Sequence, residues 1–266
     1  MRLFLPPSET KRAPARGKPV RLDALSFPEL ADSREEALEA IASASEHDDA
    51  AARFGVSEKL LPLVRANASW RTAPAAAAAS VYEGVLYDAL GYEDLSPAAK
   101  RRAHTQVRVF SAAFGVLGLK DRIPAYRASG TLKTPALGSP LATWWSRRLA
   151  EPLAEDCGGE LVVDARSGTY AGMFKPEPSQ WVGLDVVQRR GDRLAVVSHF
   201  AKHTRGQTVR ALLESGERLT SAEALRDWAE AQFAPRGWEV RLGEAHRSKP
   251  RSLTLVLPEG HSFAQA

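Results

Sequence analysis

The chain has 266 residues, is 44% hydrophobic and 26% charged, and carries a net charge of +4 with a pI near 9.3. Such a composition supports a sizeable core and excludes a disordered chain. No apolar run approaches the roughly 18 residues of a membrane span, and a single cysteine, Cys157, excludes an intramolecular disulfide and points to a reducing cytoplasm.

The first residues, MRLFL, predict a buried strand stopped by Pro6 and Pro7. The apolar run is too short for a signal peptide, so a cytoplasmic protein with no membrane partner is expected. Residues 11–21 are basic and rich in Pro and Gly, and predict a loop. Residues 34–46 predict a helix capped by Ser33. VSEKLLPLVRANASW predicts a second helix from Ser57, with Pro62 an awkward interior residue. An alanine-rich helical stretch precedes VYEGVLYDAL. Ser96 and Pro97 mark a helix start, and VRVFSAAFG after it fits a helix or a strand. LATWWSRRLAEPLA predicts a further helix.

The second half is richer in strands. GELVVDARSGTY predicts a short buried strand, and WVGLDVVQRRGDRLAVVSHF a hairpin turning at RRGDR. LAVVSH reads as the end of a core strand, with FAKHTRG after it and a helix from about Thr208 to Gly216. Thr220 and Glu223 form a capping box for the next helix, and WEVRLGE and RSLTLVL close the chain as strands. The fold class is α+β: one domain over residues 1–266, with a mixed sheet and surrounding helices.

The charge is unevenly spread. Residues 100–150 hold ten Lys or Arg (100, 101, 102, 108, 120, 122, 127, 133, 147 and 148) against Asp121 alone, giving +9. The rest of the chain therefore sums to −5, and residues 31–49 carry seven acids against one arginine. This separation of signs points to a nucleic-acid surface. The same count also fits charges that the acidic segment balances in space.

Motifs of common enzymes are missing. There is no phosphate-binding G-x-x-x-x-G-K-[ST] loop, no G-x-G-x-x-G turn, no C-x-x-C, no H-E-x-x-H and no G-x-S-x-G elbow. No cofactor and no metal ligand set is expected. Four polar clusters instead follow apolar runs: Ser8, Glu9 and Lys11; Lys120, Asp121, Arg122, Tyr126 and Arg127; Asp164, Arg166, Ser167 and Tyr170; His199, Lys202, His203 and Arg205. Polar residues at strand ends converge on one rim, where a site can form. Positive side chains outnumber acids there, so the expected occupant is an anion, held bidentately by Arg and at a point by Lys. Gly206, placed before a helix, would let the backbone close on it.

At these clusters the chain resembles the YaaA family of bacterial proteins, linked to peroxide stress resistance. The resemblance rests on FLPPSETK, VYEGVLYDAL, VFSAAFGVLGLKDRIPAYR, LVVDARSGTY and VVSHFAKHTRG, in that order, and is nearest to the actinobacterial branch. It implies a compact α+β domain with a basic cleft and a helix-hairpin-helix-like element. It also implies binding to duplex DNA and DNA with unpaired regions, and a part in limiting iron-dependent oxidative damage. The hairpin element falls on VFSAAFGVLGLKDRIPAYR, with Gly115 and Gly118 offering backbone N–H groups to phosphate. The family's usual Ser-Gly-Leu-Tyr-Gly is SAAFG here, and its Leu-Arg-Pro is LGLKD, with Lys120 in place of the arginine.

Two functions stay open. A DNA-binding protein would use Ser8, Lys11, Lys120, Arg122, Tyr126, Arg127, Arg166, Ser167, Lys202, His203, Arg205 and Gly206. An enzyme acting on a nucleotide-like or other phosphorylated small molecule would draw on Lys11, Asp164, Tyr170, Lys202 and His203.

Overall fold

Leu3, Phe4 and Leu5 are three consecutive apolar residues, and all three are completely buried. A strand with no polar alternation belongs in the middle of a parallel sheet covered on both faces, and that is its place in the computed structural model, which describes residues 1–261. The strands are β1 (Arg2–Leu5), β2 (Ala76–Ala77), β3 (Val107–Ser111), β4 (Gly115–Leu117), β5 (Arg122–Ile123), β6 (Val162–Asp164), β7 (Trp181–Arg190), β8 (Arg193–Val196), β9 (Glu239–Leu242) and β10 (Arg251–Leu257). The α-helices are α1 (Ala31–Glu46), α2 (Ala50–Phe54), α3 (Leu61–Arg65), α4 (Ala78–Val81), α5 (Val85–Leu90), α6 (Pro97–Gln106), α7 (Leu141–Ser146), α8 (Ala150–Cys157), α9 (Gly168–Ala171), α10 (Ser198–Ser215) and α11 (Ala222–Phe233).

The mixed sheet runs β4-β3-β1-β6-β7-β10-β9, with β8 added to β7. Its five central strands are parallel: Leu3 sits opposite Val107 on one side and Val163 on the other, β7 continues beyond β6, and β10 beyond β7. The antiparallel strands β4, β8 and β9 flank this centre. A separate ribbon pairs β2 with β5. In chain order the parallel strands follow a 2-1-3-4-5 arrangement, so the direction of winding reverses between β1 and β6. In sheets of this order ligands bind outside the carboxyl ends of the strands at that reversal. One contiguous apolar core joins the elements from β1 to β10. The expected domain of residues 1–266 reaches past the described residues at 262–266.

Several local expectations hold. Ser96 Oγ accepts from the Ala99 N–H at 3.2 Å, and α6 starts at Pro97. The β7–β8 hairpin turns at Gly191 and Asp192. The α10 helix ends at Gly216 in the left-handed conformation (φ 65°).

Others are corrected. The first long helix begins at Ala31, so Ser33 lies inside it. Pro62 is no interior residue: the expected second helix breaks into short turns, and Pro62 opens α3. The cap of α11 is Ser221, whose Oγ accepts from the Ala224 N–H at 3.1 Å, instead of Thr220. Residues 107–127 hold the β3–β4 hairpin and β5 but no helix, so the helix-hairpin-helix-like element does not lie there. Gly115 and Gly118 turn inward: a Cβ on Gly115 would meet the Trp145 ring at 2.7 Å, and the Gly118 N–H donates to Asp121 at 2.9 Å.

The largest correction concerns FAKHTRG. It is the first half of α10, which starts at Ser198, and the preceding β8 is a mostly exposed edge strand. Gly206 is therefore mid-helix. A Cβ there would lie 2.2 Å from the Leu86 carbonyl oxygen and 2.9 Å from the Ala89 Cβ. Its missing side chain lets α10 lie against α5, so the backbone there faces another helix.

Arg34, which reads as one charge in an acidic surface run, is completely buried. Its guanidinium donates to the carbonyls of Leu22, Ser26, Phe27, Phe114 and Val116 at 2.6–3.4 Å. It ties the segment before α1 to the β3–β4 hairpin. Burial pushes its pKa down to about 10, opposed by Asp121.

Candidate functional site

The loops after β1 and β6 enclose a cavity of about 330 Å³ at the reversal of winding. Pro6 to Thr10 form one side, Ala165, Ser167 and Tyr170 another, and Glu83 to Tyr87 a third; Lys202 and Arg205 reach in from α10. Gly84, at φ 102°, turns the chain between α4 and α5 and leaves room for Ser8 Oγ, which would lie 3.3 Å from a Cβ there.

The charges in this cavity are unequal in their freedom. Glu9 pairs with Arg127 at 3.3 Å, and Glu83 pairs with Arg12 at 2.5 Å. Arg205 donates to the Leu184 carbonyl at 2.9 Å and lies 3.9 Å from Asp185. Lys202 is exposed and has no ion-pair partner among the described residues. Both acids are thus neutralised, and Lys202 and Arg205 leave the cavity suited to an anion. The Tyr170 hydroxyl is buried and accepts from the Gly130 N–H at 3.3 Å.

A second cavity, also about 330 Å³, adjoins the first across Glu9 and Thr10. Its lining is mostly apolar, with Pro14, Leu60, Leu63, Ala73 and Pro74, and its polar wall contains Lys11, Tyr126 and Arg127. The Lys11 backbone bridges to Tyr82, and the Arg12 N–H donates to the Val81 carbonyl at 2.8 Å, which straps the loop to α4. Lys11 Nζ donates to the Ser8 carbonyl at 2.6 Å and lies 4.0 Å from the Tyr126 ring centre. Burial pushes its pKa down from 10.5 to about 7, against the raising effect of Glu9 and with a smaller lowering by Arg127. The Tyr126 face is worth about 1 kcal/mol to a cation and acts in the opposite sense. Ammonium and free amine therefore coexist near neutrality.

Behind Lys11 runs a chain of hydroxyls. Tyr126 Oη lies 2.8 Å from Ser111 Oγ and 3.1 Å from Tyr82 Oη, and the Tyr82 ring stacks on Tyr87 at 5.3 Å. Burial raises the pKa of Tyr82 to about 12 and that of Tyr126 well above its ordinary value. These phenols are neutral donors at any physiological pH. Tyr82, Tyr87 and Ser111 were missed as site residues, although VYEGVLYDAL and VFSAAF held them. Their wide separation from Lys11 along the chain hid the cluster.

The structure thus brings Ser8, Ser167, Tyr170, Lys202 and Arg205 to one cavity, and Lys11, Tyr126 and Arg127 to its neighbour. It leaves others elsewhere. Asp164 and Arg166 form a buried pair, with Arg166 Nη2 2.6 Å and Nε 2.8 Å from the carboxylate. The Arg166 side chain is 0% exposed and also donates to the Tyr170 and Phe174 carbonyls. Asp164 accepts from Trp181 Nε1 at 2.8 Å as well. Both groups are occupied in holding the loop after β6, and neither faces the cavity. Lys120 is exposed beyond β4, near His104. Arg122 donates to the Ala75 carbonyl at 2.6 Å. His203, next to Lys202 on α10, is outside the cavity lining; burial lowers its pKa first, then His261 and His199.

Four of the ten positive residues in the +9 stretch are paired with carboxylates. Lys100 pairs with Glu93, Arg108 with Asp156, Arg127 with Glu9 and Arg148 with Glu36. Within the acidic segment, Glu35 and Glu39 pair with Arg71. Among the described residues no three His, Cys, Asp or Glu side chains come together as a metal site, and no helix is long and apolar enough to cross a membrane. A larger cavity of about 710 Å³ lies between α8 and residues 172–180, with Cys157 on its wall. Burial, then Asp156, pushes the Cys157 thiol up to about 11. Thiolate is the reactive form, and this shift keeps Cys157 as the thiol near neutrality.

Fold and site define an α+β protein with a mixed sheet and paired cavities beside a half-buried lysine. A family model described as peroxide stress protein YaaA matches residues 1–236, and the chain belongs to that family. It is 39% identical to a UPF0246 protein of Streptomyces coelicolor over 98% of this chain and all of that one. It is 39% identical to a UPF0246 protein of Corynebacterium efficiens over 97% and 100%. A UPF0246 protein of Shewanella pealeana is 28% identical over 78% of this chain and 84% of its own.

Proposed function

We propose that this peroxide stress protein binds DNA in the cytoplasm and takes an unpaired nucleotide into the cavity between β1 and β6. Holding such DNA, it helps to limit iron-dependent oxidative damage. The observation that carries the reading is the position of Lys202 and Arg205 over a nucleotide-sized cavity whose two acids are already paired. Lys202 and Arg205 would contact phosphate. Tyr87 and Tyr170 supply aromatic walls, and stacking on such rings is tolerant of base identity.

The test is fluorescence anisotropy of labelled duplex and bubble DNA, with wild type and Lys202→Ala. Binding that is tighter to the bubble and weakened about tenfold in the variant supports the reading. No binding at low salt overturns it.

A second reading, an enzyme acting on a nucleotide-like phosphorylated small molecule, is favoured by the lysine beside the same loop, whose pKa burial brings down to about 7. Thermal shifts with nucleoside monophosphates in the absence of DNA test it.

A further inference from the structure

We propose that Lys11 is an amine nucleophile that captures an aldehyde with a short apolar tail, held in the cavity lined by Leu60, Leu63, Ala73 and Pro74. The proposal concerns the second cavity and does not depend on DNA binding. Three observations carry it. Lys11 forms part of the polar wall of a mostly apolar space large enough for a small organic molecule. Among the described residues no carboxylate pairs with its Nζ, because Glu9 is engaged by Arg127. Its nearest groups are the Ser8 carbonyl and the Tyr126 and Tyr82 rings, none of which can take its proton. A lysine desolvated in an apolar pocket is the arrangement that makes an amine nucleophilic at neutral pH.

The step balances without redox change. The lone pair of Nζ attacks the carbonyl carbon, a C–N bond forms, and the π pair moves to oxygen. Oxygen takes up the proton released from nitrogen, giving a carbinolamine. Departure of that hydroxyl with the second nitrogen proton, as water, leaves an imine. The tail lies against the leucine and proline side chains, and the charged groups around the amine are Glu9 and Arg127. The link is reversible by hydrolysis, as suits capture and release of a reactive carbonyl compound.

The test uses the full chain, hexanal or acetaldehyde, and cyanoborohydride at pH 7, with peptide mass spectrometry to place the reduced adduct. An amine with a pKa near 7 is on the order of 1,000-fold more deprotonated at pH 7 than an ordinary lysine. Lower intrinsic nucleophilicity takes back part of that, so Lys11 is expected to be labelled about 100-fold faster than the eight other lysines. Hexanal is expected to label it faster than acetaldehyde at equal concentration, while exposed lysines show no such preference. Lys11→Arg is expected to lose the fast phase and keep the slow one. Labelling of Lys11 in the wild type no faster than that of Lys202, or equal rates with both aldehydes, overturns the proposal without recourse to any variant.

Discussion

Lys11 Nζ lies over the Tyr126 ring at 4.0 Å and donates to the Ser8 carbonyl at 2.6 Å, a cation site built from a ring face and a carbonyl without a carboxylate. Such a site stabilises the ammonium less than water does, so the amine deprotonates readily.

The consequence is a pH-dependent stability of definite sign. The Lys11 pKa is about 7 when folded and 10.5 as the ordinary value. Between those values the unfolded chain binds more protons, so this group makes stability rise with pH. Its penalty is full below about pH 7 and gone above about 10.5. Lys11→Met removes the penalty. Urea denaturation at pH 6 and pH 9 is expected to show the variant gaining on the wild type at pH 6, with the gap shrinking by about 3 kcal/mol by pH 9.

Gly206→Ala tests the helix-packing role of a residue that reads as part of an anion loop. The added methyl must displace the Leu86 carbonyl at 2.2 Å. Overpacking of this kind costs about 1–3 kcal/mol, against a gain of about 1 kcal/mol in helix propensity. A net loss of stability in chemical denaturation, with DNA affinity unchanged in the folded fraction, is the expected result.

Asp164→Asn and Arg166→Met each leave a buried partner without its charge. Each is expected to cost about 3–5 kcal/mol in chemical denaturation. The double variant is expected to cost less than the sum, because the pair is lost only once. Asp164 is therefore no clean probe of catalysis, since its removal is expected to loosen the loop after β6 as well.

The salt dependence of DNA binding should be shallow. Four of the ten positive residues between 100 and 150 are engaged with carboxylates. With about two to four phosphates neutralised, the slope of log K against log salt is expected between about −2 and −4. Titrations at several salt concentrations measure it, and Lys202→Ala should reduce it by about one.

Much of the fold was legible where the signal is local. Ser96 followed by Pro97 marks a helix start through one cap and one fixed φ, and MRLFL marks a buried strand by its unbroken apolar run. The centre of the sheet was not, because parallel pairing joins Leu3 to Val107 and Val163 across more than a hundred residues. FAKHTRG was misplaced because LAVVSH has the apolar content of a core strand, yet Val196 is 81% exposed at a sheet edge. Only the approach of α5 explains Gly206. The polar clusters after β1 and β6 lie against one cavity, and strand-end polarity is visible along the chain. Their division into cavity residues and a buried Asp164–Arg166 pair depends on side-chain direction, which composition does not carry. Arg34 looked like surface for the same reason.

Filling the cavity without changing its charge tests the central claim most directly. Ser167 is exposed on the rim, and Ser167→Trp would occupy the mouth while leaving Lys202 and Arg205 intact. Anisotropy with matched duplex and bubble DNA is expected to show wild type favouring the bubble by about tenfold, a difference of about 1.4 kcal/mol, and Ser167→Trp binding both alike. Equal affinity of the wild type for the two DNAs, or a bubble preference that survives Ser167→Trp, would contradict the account.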